Sequence, residues 1–176
     1  MTGKLYCDGG VIGGNPSGIG GTWAARLTDY AGQVIREESG VITVRASQML
    51  VVTNNLTEML ALLKGLSFLP AGWTGTVCSD SQITLGRAFL GWKWSGIPNW
   101  MHVEYQRQHL RILRWDQLNP VLHDGHPTKA QLAAGIGKRG HPVSEHNVWC
   151  DKACTAAGQA YLARAEAYTV NMAVPA

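Results

Sequence analysis

Between residues 53 and 69, in TNNLTEMLALLKGLSFL, the side chains Leu56, Met59, Leu60, Leu63 and Leu66 recur at three- and four-residue steps. That spacing gathers them into one apolar stripe and predicts a helix that must lie on something apolar. Pro70-Ala71-Gly72 stops it, and a short apolar strand, Gly75 to Ser79, follows. A helix between two strands is a crossover connection, which returns the chain parallel to an earlier strand of the same sheet. The earlier strands are legible. Residues 4 to 12 form the first, the glycine-rich bend 13 to 21 leads to a second at Trp23 to Thr28, and Asp29-Tyr30-Ala31-Gly32 turns the chain into a third at Gln33 to Ile42. Residues 43 to 52 have no pattern that assigns a structure. After Ser79 a helix is expected near Ser81, then an edge strand at Val121-Leu122-His123. A loop over 124 to 143 with one helical turn around Ala130 comes next, and a last helix is capped by Ser144 and runs to about Tyr168. The fold class expected is α/β, a mixed sheet flanked by helices.

Apolar residues make up 45% of the 176 and charged ones 15%, which excludes a disordered chain and fits a single domain over 1–176. No run approaches the roughly 18 apolar residues a membrane span requires. The start, MTGKLYCDGG, lacks the apolar stretch of a signal peptide, so a cytoplasmic protein is expected. Cys7, Cys78, Cys150 and Cys154 are expected to be buried reduced thiols, since no second Cys/His pair complements Cys150 and Cys154 at zinc spacing. The net charge of +3 selects no partner, but its distribution is uneven. From Gly86 to Trp115 stand five cations (Arg87, Lys93, Arg107, Arg111, Arg114) against Glu104, together with Trp92, Trp94, Trp100 and Trp115.

Four acids are placed where they can meet. Asp8 ends the first strand, in KLYCDGG, and Asp80 ends the fourth, in VCSDSQ. Parallel neighbouring strands deliver both carboxylates to one sheet edge. Glu58 lies early in the crossover helix at the border of its stripe, and Asp151 lies early in the last helix. Four carboxylates in one place repel one another, and a divalent cation resolves the repulsion. Hard oxygen donors select Mg²⁺ or Mn²⁺.

The ordered set C-D-G-G, G-N-P-S-G-x-G-G, T-N-N-x-x-E, S-D-S-Q and H-N-x-x-C-D, spanning residues 4 to about 160, resembles the ribonuclease H family of the bacterial single-domain kind. The resemblance implies a ribonuclease H-like fold: five strands, 1 to 3 antiparallel and 1, 4 and 5 parallel. It implies cleavage of the RNA strand of RNA–DNA hybrids with two Mg²⁺ ions (Mn²⁺ as substitute), giving 5′-phosphate and 3′-hydroxyl ends. Asp8, Glu58, Asp80 and Asp151 match the metal-binding acids. Gly9 and Gly10 would clear space for the nucleic-acid backbone. Asn15, Asn54, Asn55, Ser81 and Gln82 match groove-reading positions, with Asn55 alternatively a helix cap. The family's mobile-loop histidine has two candidates, His126 in HDGHP and His141 in KRGHP, with His126 favoured because it directly follows the strand; His146 is expected to be structural.

The stretch 86 to 115 resembles the family's basic protrusion, where Trp92 and Lys93 would face the substrate. The glycine-rich bend carries one glycine more than the family pattern, and residues 43 to 52 look inserted. A monomer with no obligate protein partner and no membrane contact is expected. Two rivals remain open: a DNA-directed nuclease or transposase of the same fold, and a non-catalytic hybrid-binding module.

Overall fold

The computed structural model describes residues 2–172, and the side chains of residues 2–166. Five strands form one sheet: β1 (Thr2–Val11), β2 (Gly20–Thr28), β3 (Val34–Thr43), β4 (Thr74–Ser79) and β5 (Leu118–Leu122). Their order is β3-β2-β1-β4-β5, with β1, β2 and β3 antiparallel and β1, β4 and β5 parallel. This is the mixed sheet that the meander and crossovers demand. The helices are α1 (Val44–Ser47), α2 (Asn54–Leu66), α3 (Gln82–Phe89), α4 (Asn99–Arg111), α5 (Lys129–Ala134) and α6 (Glu145–Met172). Among the described residues no helix is long and apolar enough to cross a membrane.

The apolar stripe of α2 does what its spacing requires. Leu56, Met59, Leu60, Leu63 and Leu66 are all buried, in one core with Leu5 and Cys7 of β1 and Ala25 and Leu27 of β2. Because side chains alternate across a strand, Tyr6 and Ala24 face the other side, where they meet Cys150 and Cys154 of α6. The sheet is thus sandwiched between α2 and α6. All four thiols are free and buried.

Thr53 is the N-cap of α2, its hydroxyl accepting from the Leu56 N–H, so Asn55 is a helical residue and not the cap. Ser144 accepts from the His146 N–H at the start of α6. Residues 43–52, unassignable by pattern, make one turn of helix and then pair Val52 with Ser17 of the glycine-rich bend. The Trp100 indole donates to the Ser47 carbonyl. These two contacts join positions 35 and 53 apart in the chain, which no local periodicity encodes.

Candidate active site

The pairing of β1 with β4 is parallel, with Tyr6 opposite Cys78. Asp8 and Asp80, each two residues further on, therefore emerge together at the same end of the sheet. Glu58, the fifth residue of α2, enters from the helix above. Ligand oxygens of Asp8, Glu58 and Asp80 all lie within 4.8 Å of one another. The Gly9 N–H donates to Asp8 Oδ1 at 2.8 Å, while Glu58 Oε2 is buried with no hydrogen-bond partner. Asp151 approaches from the opposite face on α6. It shares a cleft with Asp8, Gly10, Thr22 and Cys154, and stands on the rim with its side chain 40% exposed.

At an effective dielectric near 20, each pair of unit charges about 4.8 Å apart costs roughly 3–4 kcal/mol. The pocket cannot hold three bare carboxylates cheaply, and the titration directions follow. Burial, then the Asp80 and Asp151 charges, push Asp8 up to about 7. Burial, then Asp8 and Asp80, push Glu58 well above the carboxylate range. Burial also raises Asp80, against the pull of its own backbone N–H and of His126. An unpartnered buried oxygen, three converging hard donors and raised carboxyl pKa values together fit a divalent cation.

Gly9 and Gly10 both line the cleft, and Gly9 has a second task. A Cβ on Gly9 would lie 2.3 Å from the Thr57 carbonyl carbon and the Glu58 nitrogen. Gly9 lines the cleft together with Gly10, and its hydrogen also makes room for the α2 backbone, and so sets how closely Glu58 approaches Asp8. Gly10 lies on the cleft wall. Replacing Gly9 by Ala forces α2 off β1, and a loss of about 1–3 kcal/mol in denaturant unfolding is expected, as for other overpacked cores. An unchanged unfolding midpoint would show that the helix yields freely.

The polar residues flank the acids. The Asn15 side chain accepts from the Asn54 N–H at 3.3 Å, tying the glycine-rich bend to the first turn of α2. Asn54, Asn55 and Gln82 are exposed. Ser81 is the N-cap of α3, its hydroxyl accepting from the Thr84 N–H and donating to Thr84 Oγ1, so its first role is structural.

Two of the five cations in the basic stretch, Arg87 and Arg111, turn inward, and three remain exposed. The Arg87 guanidinium is buried, donating to the carbonyls of Lys93 and Ser95. Arg111 reaches back to the carbonyls of Leu66 and Leu69 at the end of α2, and Arg107 pairs with Glu104. Trp94 donates to the Arg87 carbonyl, Trp100 to Ser47, and Trp115 stacks on Phe89. Outward are Trp92, 41% exposed with its ring against Gly86, the exposed Lys93 beside it, and the exposed Arg107 and Arg114. Trp92 and Lys93 lie in the loop after α3, not on a helix.

The two candidate histidines part company. His126 Nδ1 lies 3.6 Å from Asp151 Oδ2. His141 sits on the far arm of the same loop, its carbonyl accepting from the Gly137 N–H and its charge acting on His123 and Asp124. His146 contacts Tyr6 and Arg26. Sequence reasoning missed Asp124 and Arg139, an ion pair with Asp124 only 4% exposed. The signal was faint: an acid two residues after β5 and a cation fifteen residues later in a loop already rich in cations.

No family model matches the sequence, and no curated protein matches it. Solved structures do match the fold. The N-terminal RNase H domain of a Mycobacterium tuberculosis protein, solved as a fusion with maltose-binding protein, aligns at 20% identity and a TM-score of 0.62, covering 94% of this chain and 99% of that one. LC11-RNase H1, isolated from compost by a metagenomic approach, aligns at 22% identity and 0.63, covering 92% and 98%. The same enzyme in complex with RNA/DNA hybrid gives 21% and 0.62, covering 91% and 99%. The chain has the ribonuclease H fold.

Proposed function

We propose that this chain is an endonuclease that hydrolyses the RNA strand of RNA–DNA hybrids, leaving 5′-phosphate and 3′-hydroxyl ends. The observation that carries the reading is the convergence of buried Asp8 with half-buried Glu58 and Asp80, one buried Glu58 oxygen being unpartnered. A structural or purely binding role gives no reason to concentrate uncompensated negative charge where a phosphate backbone must approach. The hybrid is the substrate class because a neighbour of the same fold has been solved with one bound, and the polar residues around this pocket suit the same ligand.

Asp8, Glu58 and Asp80 would hold the divalent cations, Mg²⁺ by expectation and Mn²⁺ as substitute, and Asp151 would complete the set from the rim. Bound there, two such ions would supply Lewis-acid chemistry: a lowered pKa for a water and neutralisation of charge at the phosphate. His126 turns Nδ1 toward Asp151, leaving Nε2 as the ring nitrogen able to accept or return a proton at the rim. Gly10 keeps the cleft wall bare for a ribose, whose 2′-hydroxyl distinguishes RNA from DNA without reading bases. Asn15, Asn54, Asn55 and Gln82 line the approach, and Trp92 with Lys93 offers a stacking face and a phosphate contact.

The test is digestion of labelled RNA–DNA hybrid, duplex DNA and duplex RNA, with Mg²⁺ and with EDTA. The expected result is cutting of the RNA strand of the hybrid alone, and only with cation. Cutting of duplex DNA would make this a DNA-directed nuclease of the same fold; hybrid binding without cutting in Mg²⁺ would make it a binding module.

A further inference from the structure

His126 reaches Asp151 from a weakly buttressed position. Its side chain is 80% exposed, and its backbone is left-handed at φ 49°, a conformation that non-glycine residues hold only when surrounding structure enforces it. The enforcement begins two residues earlier. Asp124 is gripped on both carboxylate oxygens by Arg139: the backbone N–H donates to Oδ2 at 2.6 Å and Nε–H to Oδ1 at 2.7 Å. Arg139 Nη2 also reaches the His123 carbonyl at 3.4 Å. The excursion is closed by Asp124 N–H donating to the Pro142 carbonyl at 3.0 Å and Gly137 N–H donating to the His141 carbonyl at 2.9 Å. A Cβ on Gly137 would lie 2.3 Å from Asp124 Oδ2, so the carboxylate occupies the space a side chain would need. Between Asp124 and His126 stands only Gly125, itself so close to Asp80 that a Cβ would lie 2.3 Å from Oδ2. Three consecutive residues thus meet the pin, one acid and another acid in turn.

We propose that Arg139 is a positioning residue: by fastening Asp124 it fixes the 124–126 segment and holds His126 against Asp151. The proposal rests on the nuclease reading and names how that site's histidine is aimed. Arg139 keeps 57% of its side chain exposed, so its removal leaves the core intact; its effect is on where a loop sits, not on whether the chain folds.

Steady-state cleavage of hybrid by wild type, R139A, H126A and the double variant tests it. R139A is expected to lower kcat roughly 10-fold with KM within about 2-fold of wild type, and to change kcat by less than about 2-fold once His126 is absent. Equal losses in both backgrounds, a change in KM alone (the mark of a direct phosphate contact), or no loss would overturn it. Amide exchange gives an arm that needs no activity. In R139A the Asp124 and Gly137 amides are expected to exchange at least about 10-fold faster, with β1 and α2 unchanged. Unaltered exchange at Asp124 would overturn the pin. Failure of the wild type to cut hybrid would count against the nuclease reading alone, leaving the exchange arm to decide.

Discussion

Asp80→Asn is expected to lower kcat on hybrid by at least ~1,000-fold, about 4 kcal/mol of transition-state stabilisation, while making the metal-free protein more stable. The two effects share one cause. Asp80 sits within 4.8 Å of Asp8 and Glu58 and is itself raised by burial. The amide keeps the shape but removes one charge from a group that repels, and one hard donor from a group that binds. Relief of that repulsion is expected to add about 1–3 kcal/mol in the absence of cation, roughly 3–10 °C in Tm for a chain this size. Activity is read by hybrid cleavage and stability by thermal unfolding in EDTA. A variant that is inactive and also less stable would point to a structural role for Asp80, and an active variant would remove it from the metal set.

The second large effect is on pH. Asp8 is pushed up to about 7 in the folded chain, against an ordinary value near 4. Between those values the folded state holds a proton that the unfolded state has released, so stability falls as pH rises. The stabilisation is complete below about pH 4, is lost progressively toward pH 7, and changes no further above. For Asp8 alone the span corresponds to roughly 4 kcal/mol at most, at 1.36 kcal/mol per unit. Glu58, raised in the same direction, adds to the fall. Glu104 and Asp124, both held below the usual carboxylate range by arginine hydrogen bonds that outweigh burial, act oppositely but only in the acid range. The metal-free protein is therefore expected to lose Tm from pH 5 to pH 7.5, and saturating Mg²⁺ to flatten the fall. A rise in Tm over that interval in EDTA would contradict the electrostatics of the pocket.

Much of this was legible in the chain because it is written locally. The α2 stripe, the Asp after each of two apolar strands and the early helical Glu58 are short patterns, and the sheet order follows from connection rules once the elements are placed. What was not legible depends on distant partners. Five cations between 86 and 115 read as a nucleic-acid grip, yet Arg87 and Arg111 spend their donors on carbonyls inside the fold. Charge counts do not say which way a guanidinium points. Gly9 read as space for a ligand; that it is also space for a helix depends on α2, whose approach no local pattern encodes. The Asp124–Arg139 pin could not be read at all, since loop closure of that kind has no period.

Divalent-ion binding by Asp8, Glu58 and Asp80 is the central requirement of the nuclease chemistry, and calorimetric titration with Mn²⁺ near pH 6.5 measures it directly. Wild type is expected to bind with release of protons, seen as heats that vary with the buffer's ionisation enthalpy, and E58Q to lose most of that signal. Indistinguishable titrations of wild type and E58Q, or none in either, would contradict it.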